Sequence, residues 1–417
     1  MIDLDEPWQR ALLDLLTRSH LLPGDAIAPA LADVLAPLRL DPEVYVIDRD
    51  QDQLRPLRDG LPALKADGTL AGRAYQLGQV LEGADGGDPV LWVPLIDGIE
   101  RLGVVRIRLP ADAPVARDPL LRPRCALLCG TLARVLSSKL PHSDLLATAQ
   151  RSQPMSVAGE LLWRLLPPLT VGTASVTIAA VLEPAYDMGG DAFDYSVDSR
   201  EAQFAIFDSS GHDLSAGLTT SVALAAARTA RREGVDLLGV AERIDAELVE
   251  QFDDFRFVTG VLARLDLDTG RLRYLVAGHP APVLLRGGRA VGSLDGARRM
   301  PFGRIASLAP QTAEPAEELL EPGDRLLLHS DGVIEARDGR GTEFGSARLV
   351  ELAERTAADG LPAPETLRRL THAVRRYRGR TLEDDATFVL VEWAGRPAAE
   401  AAAEGADVGD IGSGRGC

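Results

Sequence analysis

The sequence predicts an α+β protein in two parts: a smaller α+β unit, then layered antiparallel sheets with helices on their outer faces. Three observations carry this prediction. The chain has 417 residues, long for one compact domain, and 46% of them are hydrophobic, enough for a sizeable core. Near Ser175 the texture changes from mainly helical spacing to short β-rich runs. Tight-turn pairs then recur between those runs, with helical patterns inserted, as stacked sheets with outer helices require.

In the first part, residues 8–19 carry helical spacing through Trp8, Leu12, Leu13, Leu15 and Leu16, and residues 27–38 read as a second helix. Residues 44–47 form a short strand followed by the polar turn 48–52. Strands over 89–95 and 102–109 are joined at Asp97-Gly98, a hairpin signal. An apolar-striped helix over 122–140 closes this part. Cys125 and Cys129 lie within it and read as buried small hydrophobes. Pro141 breaks that helix, and helical spacing resumes over 143–166 up to Pro167-Pro168. The division expected is therefore 1–140, a linker helix in 141–170, and a second domain over 171–394.

In that second domain, strands are expected over 176–181, 204–207, 257–265, 272–276, 325–329 and 387–392. Asp268-Thr269-Gly270 and Gly287-Gly288 turn two of these runs back on themselves. Helices are expected over 216–232, 237–252, 346–357 and 363–377. Residues 395–417, rich in Ala, Gly and Asp, carry no pattern and are expected to be a disordered tail.

Composition excludes several classes. A net charge of −17 disfavours nucleic acid as a partner, because no excess of Lys and Arg is available for phosphates. No apolar run approaches the roughly 20 residues of a membrane helix. The acidic start MIDLDEPWQR does not read as a signal peptide, so a cytoplasmic location is the default. Three cysteines without an export signal argue against a disulfide framework. A cysteine phosphatase also needs an arginine shortly after its nucleophile, and Thr131 and Val135 stand where it would fall.

Four acidic sites stand out: Gly189-Gly190-Asp191, Asp208-Ser209-Ser210-Gly211, Ser330-Asp331-Gly332 and Asp384-Asp385. Asp208 and Asp331 each follow an apolar strand, and Asp384 and Asp385 precede one. Taken singly, each is equally well an ordinary turn. If those strand ends meet at one edge, the carboxylates converge, and like charges so placed need a cation between them to stay ionised. Hard divalent ions with oxygen ligands, Mn²⁺ or Mg²⁺, answer that need.

The ordered set MGGDAFDY (188–195), DSSGH (208–212), FVTGVLARLD (257–266), YLVAGHPAPVLL (274–285), PFG (301–303), LEPGDRLLLHSDGVIEARD (320–338) and DDATFVLV (384–391) resembles the SpoIIE-like branch of the PPM (type 2C) metal-dependent serine/threonine protein phosphatases. The resemblance spans roughly 155–393, with LLWRLLPP (161–168) leading into it. Residues 20–140, with AGRAYQLGQVL (71–81) and the WVPLIDGIERLGVVRIRL hairpin (92–109), resemble a GAF sensor domain more loosely.

The first resemblance implies an α-β-β-α sandwich of two antiparallel sheets flanked by helices. It also implies a centre of two divalent ions, Mn²⁺ or Mg²⁺, which would activate water for attack on phosphorus. Asp191 and Asp208 would lie at that centre, with Asp208 bridging and Ser209 contributing its backbone carbonyl. Asp331 and Asp384 would complete the set, Asp384 being preferred over Asp385. The implied substrate is phosphoserine or phosphothreonine on a regulatory protein of the anti-anti-sigma type, under control of the sensor. A homodimer through sensor and linker helix is compatible with this, and movement of the helix after Asp208 could govern metal occupancy. The competing readings are a non-catalytic phosphatase-like binder and a hydrolase of small phosphate esters.

Among the remaining motif residues, His212 and His279 are the histidines, and His279 is open between a general acid and a structural hydrogen bond, the latter favoured. Glu335 and Asp194 are expected to support the loops behind the ligands. Gly189, Gly190, Gly211 and Gly332 are expected to allow close backbone turns. The chain departs from the family pattern at Ala192, Ser330 and Asp213. Asp213 could add a carboxylate to the centre or cap the next helix, and capping is favoured.

Overall fold

The computed structural model describes residues 4–110, 118–187, 189–211, 213–308, 313–378 and 385–396. The expected tail therefore lies outside the described residues apart from Gly395 and Arg396, as do Asp384 and His212. Two compact units divide the chain, Met1–Met155 and Ser156–Cys417.

The first unit begins with α1 (Glu6–Ser19) and α2 (Ile27–Leu35), followed by β1 (Asp41–Ile47), β2 (Gln53–Pro56) and β3 (Leu64–Lys65). Next come α3 (Leu70–Leu77), β4 (Leu81–Asp85), β5 (Asp88–Asp97), β6 (Glu100–Arg108), α4 (Leu121–Lys139) and α5 (Asp144–Ala149). The strands form one sheet in the order β3-β2-β1-β6-β5-β4, with every pairing antiparallel. Asp97 pairs with Glu100, so the hairpin turns where Asp97-Gly98 signals it. Alternation along the strands separates two cores. Val44, Val93 and Val105 pack with Leu31, Leu128 and Leu132 of α2 and α4. Tyr45, Trp92 and Val104 pack with Ala74 and Tyr75 of α3. Cys125 and Cys129 are buried, and burial pushes the Cys125 thiol up to about 12, so it is an inert packing group.

The expected continuous helix over 143–166 is two helices. α5 ends at Ala149, and α6 (Val157–Leu165) starts afresh beyond Pro154. Proline has no N–H to give to a helix and pushes Gln153 out of helical geometry. Ser156 then caps α6 by accepting from Gly159 N at 3.0 Å. The unit boundary, between Met155 and Ser156, falls in this break and so inside the span 141–170 expected for a linker helix.

After α6 the second unit runs through β7 (Thr170–Gly172), β8 (Val176–Glu183), β9 (Asp191–Val197), β10 (Glu201–Ser209), α7 (Leu214–Arg232) and α8 (Leu237–Gln251). It continues with β11 (Phe257–Asp266), β12 (Arg271–Ala277), β13 (Val283–Arg286), β14 (Arg289–Ser293), β15 (Arg298–Arg299), β16 (Phe302–Gly303) and β17 (Ala316–Leu319). β18 (Arg325–His329), α9 (Asp331–Ile334), α10 (Ser346–Ala358), α11 (Ala363–Arg378) and β19 (Ala386–Trp393) complete it. One sheet has the order β15-β12-β11-β10-β9, with β16 on β11 and β17 on β12; the other is β14-β13-β18-β19-β8-β7.

The main core joins inner residues of both sheets, among them Phe204, Val261, Leu326 and Val389, to Leu224 of α7 and Ile244 of α8. A second core packs Val181, Leu327 and Phe388 against Leu349 and Leu367 of α10 and α11. Helices, sheet, sheet and helices thus form four layers, as expected. β9 was absent from the sequence reading; its residues DAFDYSV mix charge with aromatics and lack a clean alternation.

Candidate metal centre

The register of one hairpin builds the centre. β9 and β10 pair antiparallel so that Asp191 faces Asp208 directly across the ladder. Like charges in that position repel unless something cationic accompanies them. Asp191 is 1% exposed, so water does little to screen it, while Asp208 is half-buried. On its other side Asp208 faces Thr259 of β11.

Backbone atoms crowd the same place. A Cβ on Gly190 would stand 2.6 Å from the carbonyl oxygens of both Ser209 and Gly211, so only glycine fits there. Gly211 itself has φ +92°, a conformation that favours glycine. Thr220 Oγ1 donates to Gly190 O at 2.5 Å, and the Ser209 hydroxyl donates to Ala216 O at 3.0 Å. Ser209 is thereby tied to α7 through its side chain.

The second sheet brings its strand ends to the same turn. Asp385 precedes β19, and its Oδ2 accepts from the N–H groups of Gly189 at 2.9 Å, Gly190 at 2.8 Å and Asp191 at 3.4 Å. That oxygen is committed to holding the Gly189–Asp191 turn. Ser330, fully buried, accepts from Thr387 N at 2.9 Å and donates to Asp385 O at 3.4 Å, which ties the end of β18 to the start of β19. Asp331 follows as the first residue of α9. Gly332 lies inside that helix, so the close turn expected of it is not needed.

The other named residues take different places. Asp213 is the N-cap of α7, with Oδ1 accepting from Ala216 N at 2.9 Å. Asp194 is three residues beyond Asp191, on the opposite face of β9. It binds Arg228 Nε at 2.9 Å and Nη2 at 2.7 Å, and Arg231 Nη1 at 2.5 Å. It clamps α7 to the sheet; the loop-supporting role expected of it is corrected. Glu335 is exposed, and its backbone N–H closes α9 on Asp331 O at 2.9 Å.

His279 is 1% exposed, with Nδ1 2.8 Å from Thr259 Oγ1. Burial, with a smaller contribution from His329, pushes its pKa down to about 3, so the ring is neutral near pH 7. Its bond is to Thr259, the residue that faces Asp208 across the ladder. Thr220 and Thr259 carry this framework and were missed by the sequence reading, because their partners are 30 and 20 residues away.

The donor set suits a hard cation: two facing carboxylates and clustered backbone carbonyls, all oxygen. Among the described residues, however, no group of three or more His, Cys, Asp or Glu side chains is gathered to hold a metal. The expected convergence is thus a pair, Asp191 with Asp208, and Asp384 lies outside the described residues.

Residues 198–394 match the SpoIIE family, described as Stage II sporulation protein E. The SpoIIE match contains Asp208, Asp331 and Asp385 and begins seven residues after Asp191. Phosphoserine phosphatase RsbU of Bacillus subtilis (strain 168) is 24% identical over 218 residues, covering 52% of this chain and 63% of RsbU. The RsbU and RsbW domains of Rv1364c from Mycobacterium tuberculosis align at 25% identity with TM-score 0.46, over 54% of this chain and 62% of that one. The SiaA-PP2C domain of Pseudomonas aeruginosa aligns at 22% identity with TM-score 0.45, over 52% and 85%. The chain thus spans less than two thirds of the length of RsbU and of the Rv1364c chain. Among the described residues no helix is long and apolar enough to cross a membrane.

Proposed function

We propose that the second unit is a metal-dependent protein phosphatase that hydrolyses phosphoserine or phosphothreonine on a regulatory protein. The observation that carries this reading is the direct cross-strand pairing of Asp191 with Asp208 at a turn into which no other residue than glycine fits. The SpoIIE match and the similarity to a phosphoserine phosphatase support it. Asp191, Asp208, the Ser209 carbonyl, Asp331 and Asp384 would hold two Mn²⁺ or Mg²⁺ ions. When bound, such ions supply an activated water and offset charge on the phosphoryl oxygens. The chain's own part is to hold the carboxylates in register: Asp385 fixes the Gly189–Asp191 turn, and Thr220 and Ser209 lock that turn to α7. Buried His279 holds Thr259, which faces Asp208 across the ladder, by a structural hydrogen bond.

The substrate proposed is a phosphorylated partner-switching regulator of the anti-anti-sigma type, in the cytoplasm. Control is assigned to the first unit, a GAF-like sensor, with a homodimer as the assembly. The six-stranded antiparallel sheet with separate cores on its two faces supports that assignment.

The test is hydrolysis of a phosphoserine protein with and without Mn²⁺. Turnover that survives Asp208→Ala or Asp331→Ala overturns the reading, and the inactive Asp331→Ala protein serves as a trap to capture the substrate. The pairing of only two described carboxylates also fits a non-catalytic binder. Calorimetric titration with Mn²⁺ decides, since that reading expects no metal uptake.

A further inference from the structure

A cleft of about 270 Å³ opens directly beside the Asp208 loop. Ser209, Ser210 and Gly211 form one wall, and Asp213, Ser215 and Thr219 of α7 form the second. The third is the segment between α8 and β11, Asp254 to Phe257. Arg256 braces this wall: its Nη1 donates to Ser215 O at 3.0 Å and Thr219 Oγ1 at 2.9 Å, and its Nε donates to Asp254 at 2.8 Å. Its guanidinium also lies over the Phe252 ring, 4.4 Å from the centroid. The wall is therefore braced, and Arg256, the one cation among its described residues, is already engaged.

Phe255 stands on this braced wall with 54% of its surface exposed. Its ring meets the edge of Phe257, centroids 6.4 Å apart, and it belongs to neither core of this unit. An aromatic ring left to water on a rigid support costs stability, and such a ring beside a reacting centre is a typical anchor for a partner. On the adjoining first turns of α7, Leu214 and Leu218 are also exposed. Among the described residues the walls offer no free cation to attract a second phosphate, and Asp213 and Asp254 disfavour acidic residues.

We infer that this cleft takes an apolar side chain flanking the phosphorylated serine of the protein substrate, with Phe255 as the residue that selects it. The inference rests on the phosphatase reading above and deepens it. The cleft shares the Ser209–Gly211 backbone with the candidate centre, so a residue next to the phosphoserine reaches it without any rearrangement.

The experiment uses the full chain with Mn²⁺ and three probes: p-nitrophenyl phosphate, and two phosphoserine peptides identical except for leucine or aspartate on both sides of the phosphoserine. The parent chain is expected to prefer the leucine peptide by about tenfold or more in kcat/KM, the discrimination an apolar pocket commonly gives. In Phe255→Ala and Phe255→Asp that ratio falls towards one, and in Phe255→Leu most of it returns. A merely structural role for Phe255 would lower both peptides alike and keep the ratio. That outcome overturns the inference, as does a parent chain that hydrolyses p-nitrophenyl phosphate without preferring leucine. Failure to hydrolyse any of the three probes overturns the phosphatase reading itself, and the inference with it.

Discussion

Two carboxylates facing each other across a β-ladder repel, by up to about 1 kcal/mol for a cross-strand pair. Asp191 and Asp208 are so placed. In chelator, Asp208→Asn is expected to raise the melting temperature by about 2–4 °C, because a repulsion is removed. With Mn²⁺ added, the parent is expected to gain stability and the variant to gain none. Thermal melts with and without EDTA check both. His279 gives a second residue-level expectation. Its folded pKa is about 3 against 6.5 for a free histidine, so between those values the unfolded chain binds the extra proton. Stability from this site is complete above pH 6.5 and is lost as pH falls towards 3, by at most about 1.4 kcal/mol per pH unit. Denaturant unfolding at pH 7 and pH 5 should show a smaller loss in His279→Gln than in the parent. Asp208 could be singled out in the sequence, since it follows an apolar strand and leads into a turn of small residues. That Asp191 would face it was not legible, because register depends on a partner strand whose own pattern is weak.

At the scale of elements, α7 is set by two carboxylates with opposite histories. Asp213 caps it locally, and a side chain that accepts from the N–H three residues ahead is a signal confined to a few residues. Asp213→Ala should lower stability by about 1 kcal/mol, with Asp213→Ser restoring most of it, measured by urea unfolding. Asp194 fastens the far half of the same helix through Arg228 and Arg231, 34 and 37 residues away, which no local pattern announces. The helix expected over 143–166 is the opposite failure. Its apolar spacing belongs to two helices in succession, and Pro154 with the Ser156 cap marks the break that spacing conceals. Asp385, the less favoured of the two candidate ligands at 384 and 385, has a contact that the sequence did not announce. Its Oδ2 is given to three backbone N–H groups of the Gly189–Asp191 turn, a contact only the folded sheets create.

At the scale of the whole molecule, the unit from Ser156 onward has its own four layers and its own cores. A fragment of residues 156–396 is expected to fold, to unfold in one cooperative transition, and to keep the Mn²⁺-dependent rise in melting temperature. If the first unit is the sensor, turnover by the fragment should differ from that of the full chain, and equal rates would remove that role. Layer order was legible here because hairpin turns and helical spacing alternate so regularly after Ser175. The point of division, between Met155 and Ser156, was not, since helical spacing runs on across it.

The contact from Asp385 to Gly189 spans 196 residues. A ribosome will have released nearly all of the second unit before the residue that braces the first motif exists. Until β19 pairs with β18 and β8, the Gly189–Asp191 turn lacks the acceptor that holds its three N–H groups, and Asp191 has no fixed position opposite Asp208. Such long-range closure is slow compared with helix and hairpin formation. An incomplete chain, whether nascent or clipped ahead of residue 385, would then carry every earlier motif and still be unable to shape the centre. The shape of the centre would arrive last, as a property of a chain that has passed residue 385.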